Sequence, residues 1–212
     1  MNTMPQDLSP YAYLLLGLVL FLGVHSLRVF AEPLRTLAIA RWGEGVFKGM
    51  YSLASLAGLV LIIWAFAWVR EQPLLLWSPP TGLRHAASLL TLFSFVLFAA
   101  AYVPGNAIRI RLGHPMAAGV KLWALAHLLS NGTVAHVMLF GGFLVWGVLS
   151  FTSARRRDRL AQTGLATQSS SIAKSSSAMV ALTSVTVVLG VALWALVAFY
   201  LHGVLIGIRP FG

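Results

Sequence analysis

The sequence predicts an all-α fold, a polytopic transmembrane helical bundle of about six spans with its N-terminus outside. Hydrophobic residues make up 58% of the 212 positions and charged residues only 9%, against roughly 25% charged residues in a soluble domain. Mean hydropathy is +0.84, and a chain with so few charges could not cover a surface exposed to water. A helix needs about 20 apolar residues to cross a bilayer, so this length suits about six crossings. The absence of cysteine excludes disulfides and thiolate metal sites.

Six apolar runs within a single domain, 1–212, are the predicted spans, at about 10–31, 46–69, 85–103, 115–130, 134–151 and 179–201. The first run follows Ser9, the expected N-cap, with Pro10 as its first helical residue. It ends at Glu32-Pro33, because the residue before a proline disfavours helix. No basic residue precedes this run, so we expect a retained span rather than a cleaved secretory signal.

The connectors between the spans differ in composition. An amphipathic, charged connector (32–48) joins the first two spans, and a proline-rich loop (72–82) joins the second and third. A short basic loop (107–113) precedes the short fourth span, and Asn131-Gly132 predicts a tight turn after it. Residues 153–178 form a basic and serine-rich linker, which the orientation below places in the cytoplasm.

The net charge of +10 is explained by topology. With the N-terminus outside and six alternating spans, twelve of the 15 Lys and Arg residues fall on the inner side, and only Arg70, Arg84 and Arg209 fall outside. Positive residues accumulate in cytoplasmic loops, so this asymmetry predicts the orientation and requires the short fourth run to be a crossing. We expect the basic connectors to contact anionic lipid head groups. No soluble basic face indicates a nucleic-acid partner.

Two of the six histidines, His25 and His127, lie deep inside predicted spans. An ionisable group at membrane depth is costly and needs a partner, which can be a backbone carbonyl, a hydroxyl, another histidine or a metal. Zinc prefers a larger set of Cys, His and carboxylate ligands, whereas this chain has no cysteine and its five acidic residues lie at helix ends or in loops. Haem iron needs only one or two imidazoles from facing helices. The residue types therefore favour haem over zinc, with structural hydrogen bonds as the alternative.

Arg28, Arg109 and Arg111 are available as cationic partners for the propionates of a haem. A rise of 1.5 Å per residue places His25 about 22 Å from the outer surface and His127 about 18 Å from the inner one. In a core about 30 Å thick the two imidazoles are then offset by about 10 Å. On depth alone His114 pairs better with His25. His114 is therefore an alternative ligand or a residue beside the propionates.

Several segments resemble the NnrU family of bacterial membrane proteins: FLGVHSLRVF, RWGEGVFKGMYSLASL, RIRLGHPMAAGVKLWALAHLLSNG, the basic ARRRDR run and the closing LHGVLIGI. The resemblance covers nearly the whole chain except the serine-rich linker. Its most specific part is the arginine-rich approach to His114-Pro115, with His127 thirteen residues later. It implies a multi-pass protein of the bacterial inner membrane with a role in denitrification or nitric-oxide metabolism.

The family is related to a 15-cis-zeta-carotene isomerase in which two histidines hold haem b. Similarity around Val24-His25-Ser26 implies His25 as the first ligand, and similarity around Trp123 implies His127 as the second. The isomerase has a cysteine where this chain has Ala124, so exchange to a cysteine ligand is impossible here. The resemblance thus implies haem b with isomerase-like or redox chemistry on an apolar small molecule. The alternatives are a non-catalytic binding or assembly protein and, disfavoured by the lack of inverted repeats and intramembrane acids, a transporter.

Overall fold

The computed structural model describes residues 7–164 and 176–210. Within those ranges the regular elements are helices, and one isolated β-bridge joins Leu75 to Thr133. The helices are α1 (Ser9–His25), α2 (Leu27–Phe30), α3 (Glu32–Trp42), α4 (Glu44–Val69), α5 (Thr81–Tyr102), α6 (Ala107–Leu112), α7 (Pro115–Ser130), α8 (Val134–Gly164), α9 (Ser176–Leu196) and α10 (His202–Ile206), the last two joined by a π-helical turn, Val197–Leu201.

Four helices in the described part of the chain are long and apolar enough to cross a bilayer: Glu44–Val69, Thr81–Tyr102, Val134–Gln162 and Ser177–Ile206. Most residues of each lie outside the buried interior, and many large exposed side chains along them are apolar. Such a surface suits lipid rather than water, so the chain is a membrane protein, and its described part is helical. α1 and α7 have 17 and 16 residues, a length of about 25 Å, and the count of six crossings stays a prediction.

The longer helices pack in an order that differs from their order in the chain. α1 packs between α4 and α8, α7 packs between α8 and α5, and α9 packs on α5. The interior of this row is formed by apolar residues of α1, α4, α7 and α8, including Leu14, Ile62, Ala124 and Phe140. α8 therefore lies between the two helices that carry His25 and His127.

Glycines allow the backbones of neighbouring helices to touch. A Cβ atom on Gly58 of α4 would lie 2.7 Å from the backbone nitrogen of Phe21, and one on Gly190 of α9 would lie 2.5 Å from Cα of Val96. Real Cβ atoms do not approach this closely. Small residues at such contacts are typical of helix packing in membranes, and here they set the α1–α4 and α5–α9 distances.

The start and end of the first predicted span differ from the structure. The run 10–31 is not one helix: α1 ends at His25, and the Ser26 N–H donates to the Gly23 carbonyl at 3.0 Å in a tight last turn before α2. Ser9 is the first helical residue and not the N-cap. The Asp7 carboxylate accepts a hydrogen bond from the Ser9 N–H at 2.9 Å, and this bond lowers the pKa of Asp7.

Two segments predicted as loop or linker contain helix. Asn106 caps α6, because its Oδ1 accepts the Arg109 N–H at 2.8 Å, so the basic stretch 107–113 is largely helical. α8 continues from the predicted end at 151 to Gly164. An apolar run ends where charges begin, whereas a helix can continue beyond the membrane with a charged surface. The part of the predicted linker from 165 to 175 lies outside the described residues.

Candidate functional site

A cavity of about 330 Å³ lies where α1 ends and α7 begins, and we term it the arginine cavity. It is lined by residues of α1, α2, α5, α6, α7 and α8 and of the turn before α7. Its polar lining residues are His25, Arg28, Arg109, His114, Trp146, Ser150 and Arg157. Four residues singled out in the sequence therefore come together at one site: His25, Arg28, Arg109 and His114.

His25 is the last residue of α1, and one of its two ring nitrogens is engaged in a hydrogen bond. Its Nδ1–H donates to the Phe21 carbonyl at 2.7 Å, so in the neutral ring Nε2 keeps its lone pair. The ring packs on Phe21 and lies near Tyr51 and Trp146, with centroid distances of 4.3, 5.4 and 6.1 Å. Metal-ligating histidines are commonly oriented by such a bond from the second nitrogen to a backbone carbonyl.

His127 repeats this arrangement in α7. Its Nδ1–H donates to the Trp123 carbonyl at 2.8 Å, and its ring stacks on Phe140 with centroids 4.4 Å apart. His127 is not among the residues that line the arginine cavity. The two histidines predicted as haem ligands thus have the same hydrogen bond but different immediate surroundings.

A chain of aromatic rings connects the surroundings of His25 and His127. Phe21, which packs on His25, lies 5.8 Å from Phe143 between centroids, and Phe143 lies 5.5 Å from Trp123. Trp123 in turn lies 5.0 Å from His127. Phe143 belongs to α8, so this helix supplies the central ring of a continuous aromatic wall from one imidazole to the other.

His114 lines the arginine cavity but already has a partner for Nε2. Its Nε2–H donates to Oδ2 of Asp158 at 2.8 Å, which joins the turn before α7 to the extended part of α8. Gly113, immediately before it, has φ +74°, a left-handed conformation that favours glycine. The contact with Asp158 leaves only Nδ1 of His114 for another ligand and suits a positioning role.

Three guanidinium groups line the cavity without a carboxylate partner. Ion pairs found in the described part of the chain involve Arg35, Lys48 and His114, and none involves Arg28, Arg109 or Arg157. Arg157 Nη1 donates to Ser153 Oγ at 2.7 Å, and Arg109 Nη1 donates to the Ala101 carbonyl at 2.9 Å. Arg111, also predicted at the site, is exposed on α6 and does not line the cavity.

Two buried polar atoms on the cavity wall lack a hydrogen-bond partner: Trp146 Nε1 and Ser150 Oγ. An unpaired buried donor costs about 1–3 kcal/mol, so most such atoms in folded proteins have a partner. The two side chains share one face of α8 with Arg157, because intervals of three and four residues repeat on a helix face. Sequence reasoning missed all three, although this spacing is visible once α8 is extended beyond 151.

Two of the remaining histidines make local hydrogen bonds. His136 Nδ1 pairs with Thr133 Oγ1 at 2.6 Å, and His202 Nδ1–H donates to the Ile208 carbonyl at 2.6 Å. No group of three or more His, Asp or Glu residues able to hold a metal ion occurs between residues 7 and 164 or between 176 and 210.

Comparison with known proteins gives one match. A family model with the description NnrU protein matches residues 13–210, a range that contains every candidate site residue. No curated protein and no solved structure matches the chain.

Proposed function

The chain belongs to the NnrU family, and from this premise we propose a haem-b protein of the bacterial inner membrane in which His25 and His127 would hold the haem iron. The observation that carries the proposal is the arrangement that the two histidines share. Each donates Nδ1–H to the carbonyl four residues earlier and keeps Nε2 available. Two imidazoles are enough for haem iron, so a cluster of three ligands is not required.

The surroundings of these histidines suit a flat, largely apolar macrocycle with acidic edges. Phe21, Phe143 and Trp123 place apolar aromatic rings between the two histidines, and Arg28 follows His25 as a cation for a carboxylate. His114 is the weaker second ligand because its Nε2 is held by Asp158. Haem, when bound, supplies a redox-active iron whose potential depends on axial ligands and burial. The chain's own part is to orient the imidazoles and exclude water.

The family resemblance supports a role in denitrification or nitric-oxide metabolism, or isomerase-like chemistry on an apolar ligand. Ala124 is fully buried, three residues before His127, and its side chain offers no ligating atom, so this position cannot supply a ligand in this chain. The competing function is a non-catalytic binding or assembly protein. The two Nδ1 hydrogen bonds also favour this second function, because they give one polar atom of each imidazole a partner within its own helix without any cofactor.

An absorption spectrum separates these functions. We expect full-length protein, purified in mild detergent from cells with an ample haem supply, to show a Soret band that shifts on reduction. The physical reason is that two nitrogen ligands give a six-coordinate iron centre. A protein that is folded by circular dichroism and shows no Soret band contradicts the haem proposal and leaves the assembly function.

The lack of native cysteine allows a test of the orientation and the six crossings. We expect Ser78→Cys to react with a membrane-impermeant maleimide in intact cells whose outer membrane has been permeabilised. Arg156→Cys should react only in inverted vesicles, because α7 and α8 then cross in succession. Both positions are exposed. Labelling of the two from the same side would show that α7 does not cross.

A further inference from the structure

We propose that the arginine cavity binds a free, compact oxyanion, a carboxylate or a phosphate, on its α6–α7–α8 side. This inference goes beyond the haem proposal, because it rests on charges and hydrogen-bond donors and not on the ring nitrogens of His25 and His127. The charge asymmetry predicted from the sequence places this end of the bundle at the cytoplasm, where such anions are soluble solutes.

The first support is uncompensated positive charge. Arg109 and Arg157 line the cavity, and neither forms an ion pair in the portion of the chain that the structure describes. Asp158 of α8 follows Arg157 directly but is paired with His114. Guanidinium groups sharing a cavity repel each other, and their planar forks bind carboxylate and phosphate oxygens with paired hydrogen bonds.

The second support is a set of unused donors on the same wall. Trp146 Nε1 and Ser150 Oγ are buried without a partner, and both line the cavity. An oxyanion supplies acceptors for both, whereas an apolar occupant leaves the cost of their burial in place.

The third support is the beginning of α7, a helix of 16 residues. Met116 and Ala117 line the cavity, and the hydrogen bonds of the described chain include none from their backbone N–H groups. Free N–H groups and the positive end of the helix dipole attract anions. The donors of α7 and α8 and the two arginines therefore surround one volume of about 330 Å³, enough for a small ligand.

Calorimetry on the full-length protein tests this proposal. The protein is purified in an uncharged maltoside detergent in Tris chloride and titrated with sodium phosphate and sodium acetate at constant ionic strength. We expect saturable binding of at least one of the two anions. Arg157→Gln should weaken binding about tenfold or more, since it removes a charged hydrogen bond, and Trp146→Phe should weaken it several-fold. Arg156→Gln, on the neighbouring exposed position, should bind as the wild type does.

Three results overturn the proposal: no saturable binding of either anion by the folded wild type, equal weakening by Arg156→Gln and Arg157→Gln, or unchanged binding by both Arg157→Gln and Trp146→Phe. A further arm uses nanodiscs of phosphatidylcholine with or without phosphatidylglycerol. Loss of phosphate binding only with phosphatidylglycerol would assign the cavity to a lipid head group instead. The Soret absorbance of the same samples reports haem separately, so a haem-free protein that binds phosphate contradicts only the haem proposal.

Discussion

Replacing either His25 or His127 by alanine is expected to lower the haem content of the purified protein by about tenfold or more. Even residues that only support a metal ligand typically cost 10–100-fold in metal affinity when replaced, and haem b has no covalent attachment to compensate for a lost Fe–N bond. Haem per protein is measured from the Soret absorbance and the pyridine haemochrome assay. Imidazole added during purification should restore part of the band, because it can occupy the position left by the missing ring.

Two control variants test whether the loss of haem is specific to His25 and His127. His136→Ala removes a histidine of α8 that pairs with Thr133, and His114→Ala removes the partner of Asp158; both should retain the band. A band that persists in both His25→Ala and His127→Ala shows that neither is a ligand. Loss in His25→Ala and His114→Ala, with retention in His127→Ala, would place the second ligand in the arginine cavity, as membrane depth alone predicts.

The elements that sequence reasoning located best have strong local signals. The fourth span, 115–130, has the bounds of α7, because Pro115 starts the helix and Asn131 is extended after it. Boundaries set by apolar content alone were less accurate. The charged residues after 151 mark the end of the predicted span, but α8 continues to Gly164. Arginine has good intrinsic helix propensity, so the helix continues beyond its apolar part without a break.

The arginines of the site show the same limit. Residues 155–157 are all arginine, so composition alone cannot tell which of them lines the cavity. Helical phase separates them, because Arg157 follows Trp146 and Ser150 on one face of α8 while Arg156 is exposed. This helical phase could be extended to the arginines only if α8 were known to continue beyond 151. Arg28 and Arg109, which the sequence offers as cationic partners for propionates, both line the arginine cavity, whereas Arg111 does not.

The relative position of the two candidate ligands depends on how the helices pack, and hydrophobic periodicity does not predict that packing. The membrane depth estimated from the helix rise places His25 and His114 at a similar level, and both residues line the arginine cavity. The resemblance paired His25 with His127 instead. Which helix lies between α1 and α7 is set by side-chain fit across the bundle, and the answer, α8 with its Phe143, follows from no local sequence signal.

Replacing Gly132 by alanine is expected to destabilise the protein by about 2–3 kcal/mol. The turn between α7 and α8 is tied to the proline-rich loop: the Leu76 and Trp77 N–H groups donate to the Gly132 carbonyl at 2.8 and 3.1 Å. A Cβ atom on Gly132 would lie 1.8 Å from the Trp77 carbonyl oxygen. That atom is backbone and cannot turn away as a flexible side chain could, so the two segments must separate and lose these hydrogen bonds.

Gly82→Ala is the matched control for this turn. It lies at the start of α5, after the same loop, and nothing lies within 4 Å of an added Cβ; alanine there also favours the helix. We expect Gly82→Ala to keep the wild-type unfolding midpoint or raise it, while Gly132→Ala lowers it, in thermal unfolding followed by circular dichroism in detergent. Since Gly132 is followed by Thr133, the partner of His136, the same variant should also loosen the end of the bundle nearest His127 and reduce haem retention. Equal midpoints for the two variants would show that the close contact between the proline-rich loop and Gly132 does not contribute to stability.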